Sequence, residues 1–160
     1  MIRAVLRYPD PALKQVCRPA DREEAERVAK DLLDTMRSFP GCVGIAAPQI
    51  GEPVRVAVVD VSEHPRADTS NGLLVLVNPR VEHAEGAEVA REGCLSIPDL
   101  TANVRRATAI RVRSGDLVAE CLGFEARCVL HELDHLDGLL FLDRVDSIAS
   151  DVFFRKVYKQ

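Results

Sequence analysis

The 160-residue sequence predicts an α+β fold, and three observations carry that prediction. A helical stripe of small and apolar residues occupies residues 21–39. Five β-branched runs follow between residues 54 and 122, with few helices between them. A second helical segment then spans residues 124–137. Strands that neighbour one another in sequence favour antiparallel or mixed sheets over a doubly wound α/β architecture. At 47% hydrophobic and 29% charged residues, wholesale disorder is excluded. The length fits one domain, residues 1–160, and is sufficient for a core without disulfides.

In the first helix, Ala25, Val28, Ala29, Leu32, Leu33 and Met36 keep the three-four spacing of one buried face. Asp21 is placed to cap it, Glu23, Glu24 and Glu26 suit the positive end of its dipole, and Pro40-Gly41 stops it. A glycine-rich loop, residues 41–51, comes next. Strands are expected over residues 54–59, 73–77, 81–90, 104–112 and 117–122, with a hairpin turn at Ser114-Gly115-Asp116. The second helix adds Cys128, Leu130 and Leu133 as apolar positions and stops at Gly138. A third helix is expected from residue 147 to the end, anchored by Ile148, Val152 and Val157.

Net charge is −4, which disfavours a broad basic face for sequence-specific nucleic-acid binding. No apolar run approaches the roughly 18 residues of a membrane span, and the first ten residues lack the continuous apolar stretch of a secretory signal. Five cysteines, an odd number, read as reduced thiols in a cytoplasmic protein.

His131-Glu132-Leu133-Asp134-His135 carries the strongest chemical signal. Residues four apart share one helical face, so both imidazoles reach one metal ion, with Glu132 beside them to take a proton from water. A catalytic site needs a third protein ligand and one open position. Cys94, in Glu92-Gly93-Cys94-Leu95-Ser96, is the best candidate; His64, His83, Asp137, Asp143 and Asp146 compete. A sulfur and two imidazoles suit Zn²⁺, Fe²⁺, Ni²⁺ or Co²⁺. In the loop Gly41 to Gly51, Gln49 offers an amide donor suited to a developing oxyanion, although taken alone the loop reads better as a plain helix-to-strand connection.

Taken together, Gly44-Ile45-Ala46-Ala47-Pro48-Gln49, Glu92-Gly93-Cys94-Leu95-Ser96 and His131-Glu132-Leu133-Asp134-His135 resemble the peptide deformylase family in order and spacing, and Tyr8-Pro9-Asp10-Pro11 resembles its N-terminal segment. The resemblance implies mainly antiparallel sheets wrapped around a central helix that carries the two histidines, with an N-terminal helix and a short C-terminal one. It implies removal of the formyl group from the formylmethionine of nascent polypeptides, with release of formate. By motif, Cys94, His131 and His135 become the metal ligands and Glu132 the general acid/base. Gln49 and the backbone N–H of Leu95 become the oxyanion donors, and Gly44 pairs with the substrate backbone. Fe²⁺ is the native ion that the resemblance implies, and the ribosome near the nascent-chain exit is a further partner. Ile45 and Val129 are candidate walls of an apolar pocket for the methionine side chain, and ordinary core packing explains both equally well.

Three positions depart from the family's usual pattern. Cys42 stands where glycine is usual and is strained if that position needs a positive φ, unless Gly41 absorbs the turn. Leu130 replaces a glutamine, and Thr101 stands where some relatives have an arginine. Glu92 and Asp134 are candidates to orient a histidine or to pair with Arg105, Arg106 or Arg127. Arg155, Lys156 and Lys159 are expected on a solvated helix face. Two other functions remain open: a zincin-type metallopeptidase, in which Cys94 is incidental, and a non-catalytic deformylase-like binding module, whose metal would be closed by a fourth ligand such as Cys42.

Overall fold

Asp21 accepts a hydrogen bond from the backbone N–H of Glu24 at 2.9 Å and so opens α1, Arg22–Arg37. The computed structural model describes residues 1–156. Ala25, Val28, Leu32 and Met36 form the buried stripe of α1 as the spacing predicts, whereas Ala29 and Leu33 are only half-buried. Asp31 and Thr35 also face inward. They are satisfied from the N-terminal segment: Arg3 donates from Nη1 to Asp31 at 3.0 Å, and from its backbone N–H to Thr35 Oγ1 at 2.9 Å.

Among the described residues, nine strands form three antiparallel sheets of three. The first joins β1 (Gly44–Ala46), β2 (Val56–Val59) and β3 (Leu74–Val77) in that order. β2 is buried along its whole length between α1 and the second helix, so its valines need no alternation. The second sheet has the order β4 (Arg80–Glu85), β7 (Ala109–Ser114), β8 (Leu117–Leu122). The third has the order β5 (Glu88–Cys94), β6 (Ile97–Arg106), β9 (Val152–Phe154).

The runs expected over residues 81–90 and 104–112 are each two strands. The first breaks at Gly86-Ala87 and the second at Ala107-Thr108. The breaks face one another, since Glu85 pairs with Ala109 and Glu88 with Arg106. One long hairpin thus turns a corner from the second sheet into the third. β-branched composition continues across that corner, so it is hidden from a reading of strand propensity.

The third helix is also shorter than expected. α3 spans only Ile148–Asp151, and Val152-Phe153-Phe154 pairs with Ala102, Thr101 and Leu100 on the free edge of β6. A β-branched and aromatic run gains more from an open ladder than from extending one helical turn. Arg155 therefore follows a strand, not a helix; Val157 and Lys159 lie outside the described residues.

The second predicted helix is α2, Gly123–Leu136, which packs against β1, β2, β6, β7 and β8 at the centre of the molecule. Three apolar clusters meet around it. Leu32, Ile45, Val54, Val56 and Val58 lie under α1; Val59, Leu74, Leu76, Ile110, Val112, Val129 and Leu133 lie on one flank of α2; and Leu13, Ile97, Val104, Leu140 and Phe141 close the other. No helix among the described residues is long and apolar enough to cross a membrane.

Candidate metal centre

Because α2 repeats every 3.6 residues, Phe124, Arg127, Cys128, His131 and Glu132 form one stripe along it, and all five line a cavity of about 550 Å³. His135, one turn further on, continues the stripe inward. Across from it, β5 alternates: Glu92 and Cys94 point in and are buried, while Arg91 and Gly93 are exposed. One strand and one helix therefore converge. The ligand atoms of Cys94, His131 and His135 all lie within 4.8 Å of one another, with Cys94 Sγ 3.4 Å from His135 Nε2.

Glu92 explains why the two imidazoles differ. Its Oε1 lies 2.9 Å from His131 Nδ1, which leaves the other ring nitrogen to face Cys94. Burial alone would raise the Glu92 pKa, but hydrogen bonds from His131 and Arg106 hold its carboxyl well below the usual carboxylate range. The carboxylate is clamped by Arg106 (2.9 and 3.0 Å) and by Arg127 (2.7 Å). Arg106 reaches on to Asp134 at 2.6 Å, and Asp134 also accepts from Arg144. Arg105, the remaining candidate partner, turns outward to Asp146. Burial pushes the His135 ring well below its ordinary pKa, which favours the neutral form that metal ligation requires.

Glu132 is buried, and its Oε1 has no hydrogen-bond partner; neither has His135 Nδ1. Burial pushes the Glu132 carboxyl up to about 7, in the range that suits a group exchanging protons at neutral pH. Its other oxygen fills the space above Gly44, where a Cβ would lie 2.7 Å from Oε2. Gln49 is fully enclosed and oriented: Oε1 accepts from the backbone N–H of Ala46 at 2.9 Å, and Nε2 donates to Ser96 Oγ at 3.1 Å beside Cys94 Sγ at 3.5 Å. A soft sulfur, two imidazole nitrogens and an adjacent unpartnered carboxylate fit a borderline divalent ion with an open position.

The profile of the polypeptide deformylase family matches residues 2–151. The chain belongs to that family. The peptide deformylase of Mesorhizobium japonicum is 41% identical, the match covering 99% of this chain and 92% of that protein. Among solved structures, the peptide deformylase of Thermotoga maritima superposes with a TM-score of 0.81 at 32% identity, covering 92% of this chain and 99% of that one. A Met-Ala-Ser-bound class I type b deformylase from Acinetobacter baumannii gives 0.81 at 31% identity, covering 90% and 99%. This deformylase is thus a formyl-removing, metal-dependent hydrolase, and neither the metallopeptidase nor the binding-module alternative is favoured.

Leu95 and Gly44 line the cavity, and Ile45 and Val129, the expected walls of the methionine pocket, do not. Gly44 faces Glu132, so its strand neighbour Ile45 points the opposite way, into the layer under α1. Val129 lies off the α2 stripe and is buried in the same apolar cluster as Val59 and Leu74. The apolar walls instead include Val43, Leu95, Phe124 and Cys128. Position 42 does not need a positive φ, because Gly41 takes it at +79°; the Cys42 thiol donates to Gly44 O at 3.3 Å. Leu130 packs against the core. His64 stacks on Phe124 at 4.4 Å, His83 lies near Glu85, and Asp143 caps Leu140; none joins the metal cluster. Ser96, which accepts from Gln49, was not singled out by sequence, although it lies in the cysteine motif.

Proposed function

We propose that the cavity takes the formylmethionine end of a nascent chain between the open edges of β1 and β5, with Cys94, His131 and His135 as the metal ligands. One observation carries this reading: the three ligand atoms converge directly beside a buried, partnerless carboxylate in a cavity that opens to solvent. A divalent cation held there supplies a Lewis acid that polarises the formyl group and acidifies water near neutral pH.

The chain's own residues do the rest. Glu132 accepts the proton of the attacking water and passes it to the departing amine. The Gln49 amide, already locked by Ala46 and Ser96, donates with the Leu95 N–H to the formyl oxygen as it gathers charge. Gly44 lets the substrate backbone approach Glu132, since any side chain there would strike the carboxylate. Val43, Leu95, Phe124 and Cys128 receive the methionine side chain. Among the described residues β1 pairs only with β2 and β5 only with β6, so each offers a free ladder to an extended peptide. The bound Met-Ala-Ser of the Acinetobacter relative supports that class of ligand.

We further read residues 1–160 as one catalytic domain, Fe²⁺ as the native ion with Zn²⁺, Ni²⁺ or Co²⁺ as substitutes, the cytoplasm as the location and the ribosomal exit as the place of work. The test is formate release from formyl-Met-Ala-Ser by anaerobically prepared, iron-loaded protein. Glu132→Ala is expected to abolish release while metal analysis shows the ion retained, and Gln49→Leu to lower kcat about 10²–10³-fold with a smaller change in KM. Absence of formate from the iron-loaded wild type, or undiminished release by Glu132→Ala, would overturn the reading.

A further inference from the structure

Five arginines line the cavity: Arg7, Arg66, Arg91, Arg127 and Arg155. Arg127 is buried and committed to Glu92. The other four are exposed, and among the described residues none of them forms an ion pair with a carboxylate. Among the described residues, the only carboxylates in the cavity lining are Glu92 and Glu132, both buried. A chain with a net charge of −4 thus surrounds the mouth of its site with uncompensated positive charge.

Two of these guanidiniums are held in place. Arg91 lies over the Phe153 ring at 3.8 Å, with Nε donating to Asn103 Oδ1 at 3.1 Å and Nη1 to Thr101 Oγ1 at 3.2 Å. Arg66 lies over Phe124 at 4.6 Å and donates from Nη1 to the backbone carbonyl of Arg91 at 3.2 Å. A guanidinium carries five N–H groups, so both keep free donors after these bonds. Arg155 is the third: its backbone N–H bonds Asp99 O at 2.8 Å, and its guanidinium fills the space above Gly93, with Nη2 2.5 Å from where a Cβ would be. Stacking and backbone bonds restrict these side chains beforehand, which lowers the entropy lost when they grip an anion.

We propose that Arg66, Arg91 and Arg155 form an anion-binding rim that selects peptides with acidic side chains in the residues directly after the formylmethionine. The inference rests on the reading that the cavity admits the formylated chain end. A peptide running along the open edge of β5 from the metal site would pass Gly93 and Arg91 with its side chains alternating between the two faces of the sheet, so one residue after the formylmethionine turns toward Arg91 and Arg155 on the outer face and its neighbour toward Arg66 beside Phe124. Arg66 lies at the cavity wall over Phe124, while Arg91 and Arg155 border the mouth from the outer face of β5, so positive charge brackets the path of an extended chain and favours an acidic peptide over the convex backbone of a nucleic acid.

The test measures binding of fluorescent Met-Glu-Glu, Met-Gln-Gln and Met-Lys-Lys peptides to the metal-loaded protein, alongside formate release from their formylated forms. The acidic peptide is expected to bind about three- to tenfold more tightly than the amide peptide at low salt, with the advantage shrinking as salt rises. Arg66→Gln/Arg91→Gln should bring the acidic-to-amide ratio close to one, Arg91→Lys should keep part of it, and Arg105→Gln, outside the cavity, should leave it unchanged. Equal binding of the acidic and amide peptides, a preference that survives the double substitution, or a single-stranded RNA oligonucleotide competing as well as the acidic peptide would each overturn the rim. Formate release from formyl-Met-Gln-Gln reports on the catalytic reading alone, and binding of the unformylated peptides reports on the rim whether or not formate appears.

Discussion

α1 and α2 both bury a face, on opposite chemical terms. α1 lays Ala25, Val28, Leu32 and Met36 on the valines of β2, and its inward polar groups are few and met from one nearby segment. α2 buries Glu125, Arg127, His131, Glu132, Asp134 and His135 among apolar neighbours. Transferring apolar surface stabilises α1 at about 25 cal/mol per Å². The charges on α2 cost desolvation energy that close pairing offsets: Asp134 is paired by Arg106 and Arg144, and Arg127 by Glu92, whereas Glu132 Oε1 is left without a partner among the described residues. The comparison teaches where the molecule spends stability: on holding a histidine and a carboxylate in place in the dry interior.

The sharpest way to break the contrast is Arg106→Met. It leaves Glu92 and Asp134 with one cationic partner each, and a loss of about 3–5 kcal/mol is expected by urea unfolding, with reduced metal content. Leu32→Ala on the apolar side opens a cavity at a fully buried position and is expected to cost about 2–5 kcal/mol while metal content per folded molecule stays unchanged. A comparable drop in metal content for both variants would erase the distinction.

The smallest effect concerns the one acidic group that α1 buries. Hydrogen bonds from the terminal amine and from Arg3 hold the Asp31 carboxyl below its usual range. A depressed folded-state pKa contributes stability above the unfolded value, and that contribution is lost as pH falls through the folded value. Asp31→Asn is therefore expected to melt below the wild type at neutral pH, and the gap should close as the solution is acidified below the ordinary carboxylate range. A gap independent of pH would assign the loss to packing.

Both helices were legible because each follows a 3.6-residue pattern, and His131 with His135 because four residues bring two rings to one face. The partners of Glu92 were legible only as a choice among arginines, since Arg106 lies 14 residues away and Arg127 lies 35 away. Ile45 and Val129 show the limit differently. Each is one residue from a cavity-lining position, and an error of one residue reverses a strand face or moves about 100° round a helix. The corner at Gly86 and the strand Val152–Phe154 escaped for a related reason: composition reports what a segment prefers, while a free sheet edge elsewhere decides what it becomes.

Glu92 and Cys94 stand two residues apart on the same side of β5, with an irregularity in the pairing to β6 between them. The sulfur that meets the ion and the carboxylate that steadies His131 are consequently set by a single phase of one ladder. A slip of one residue would carry both out to solvent together and bring Arg91 and Gly93 in, so coordination in this fold is gained or lost whole, according to how one hairpin zips.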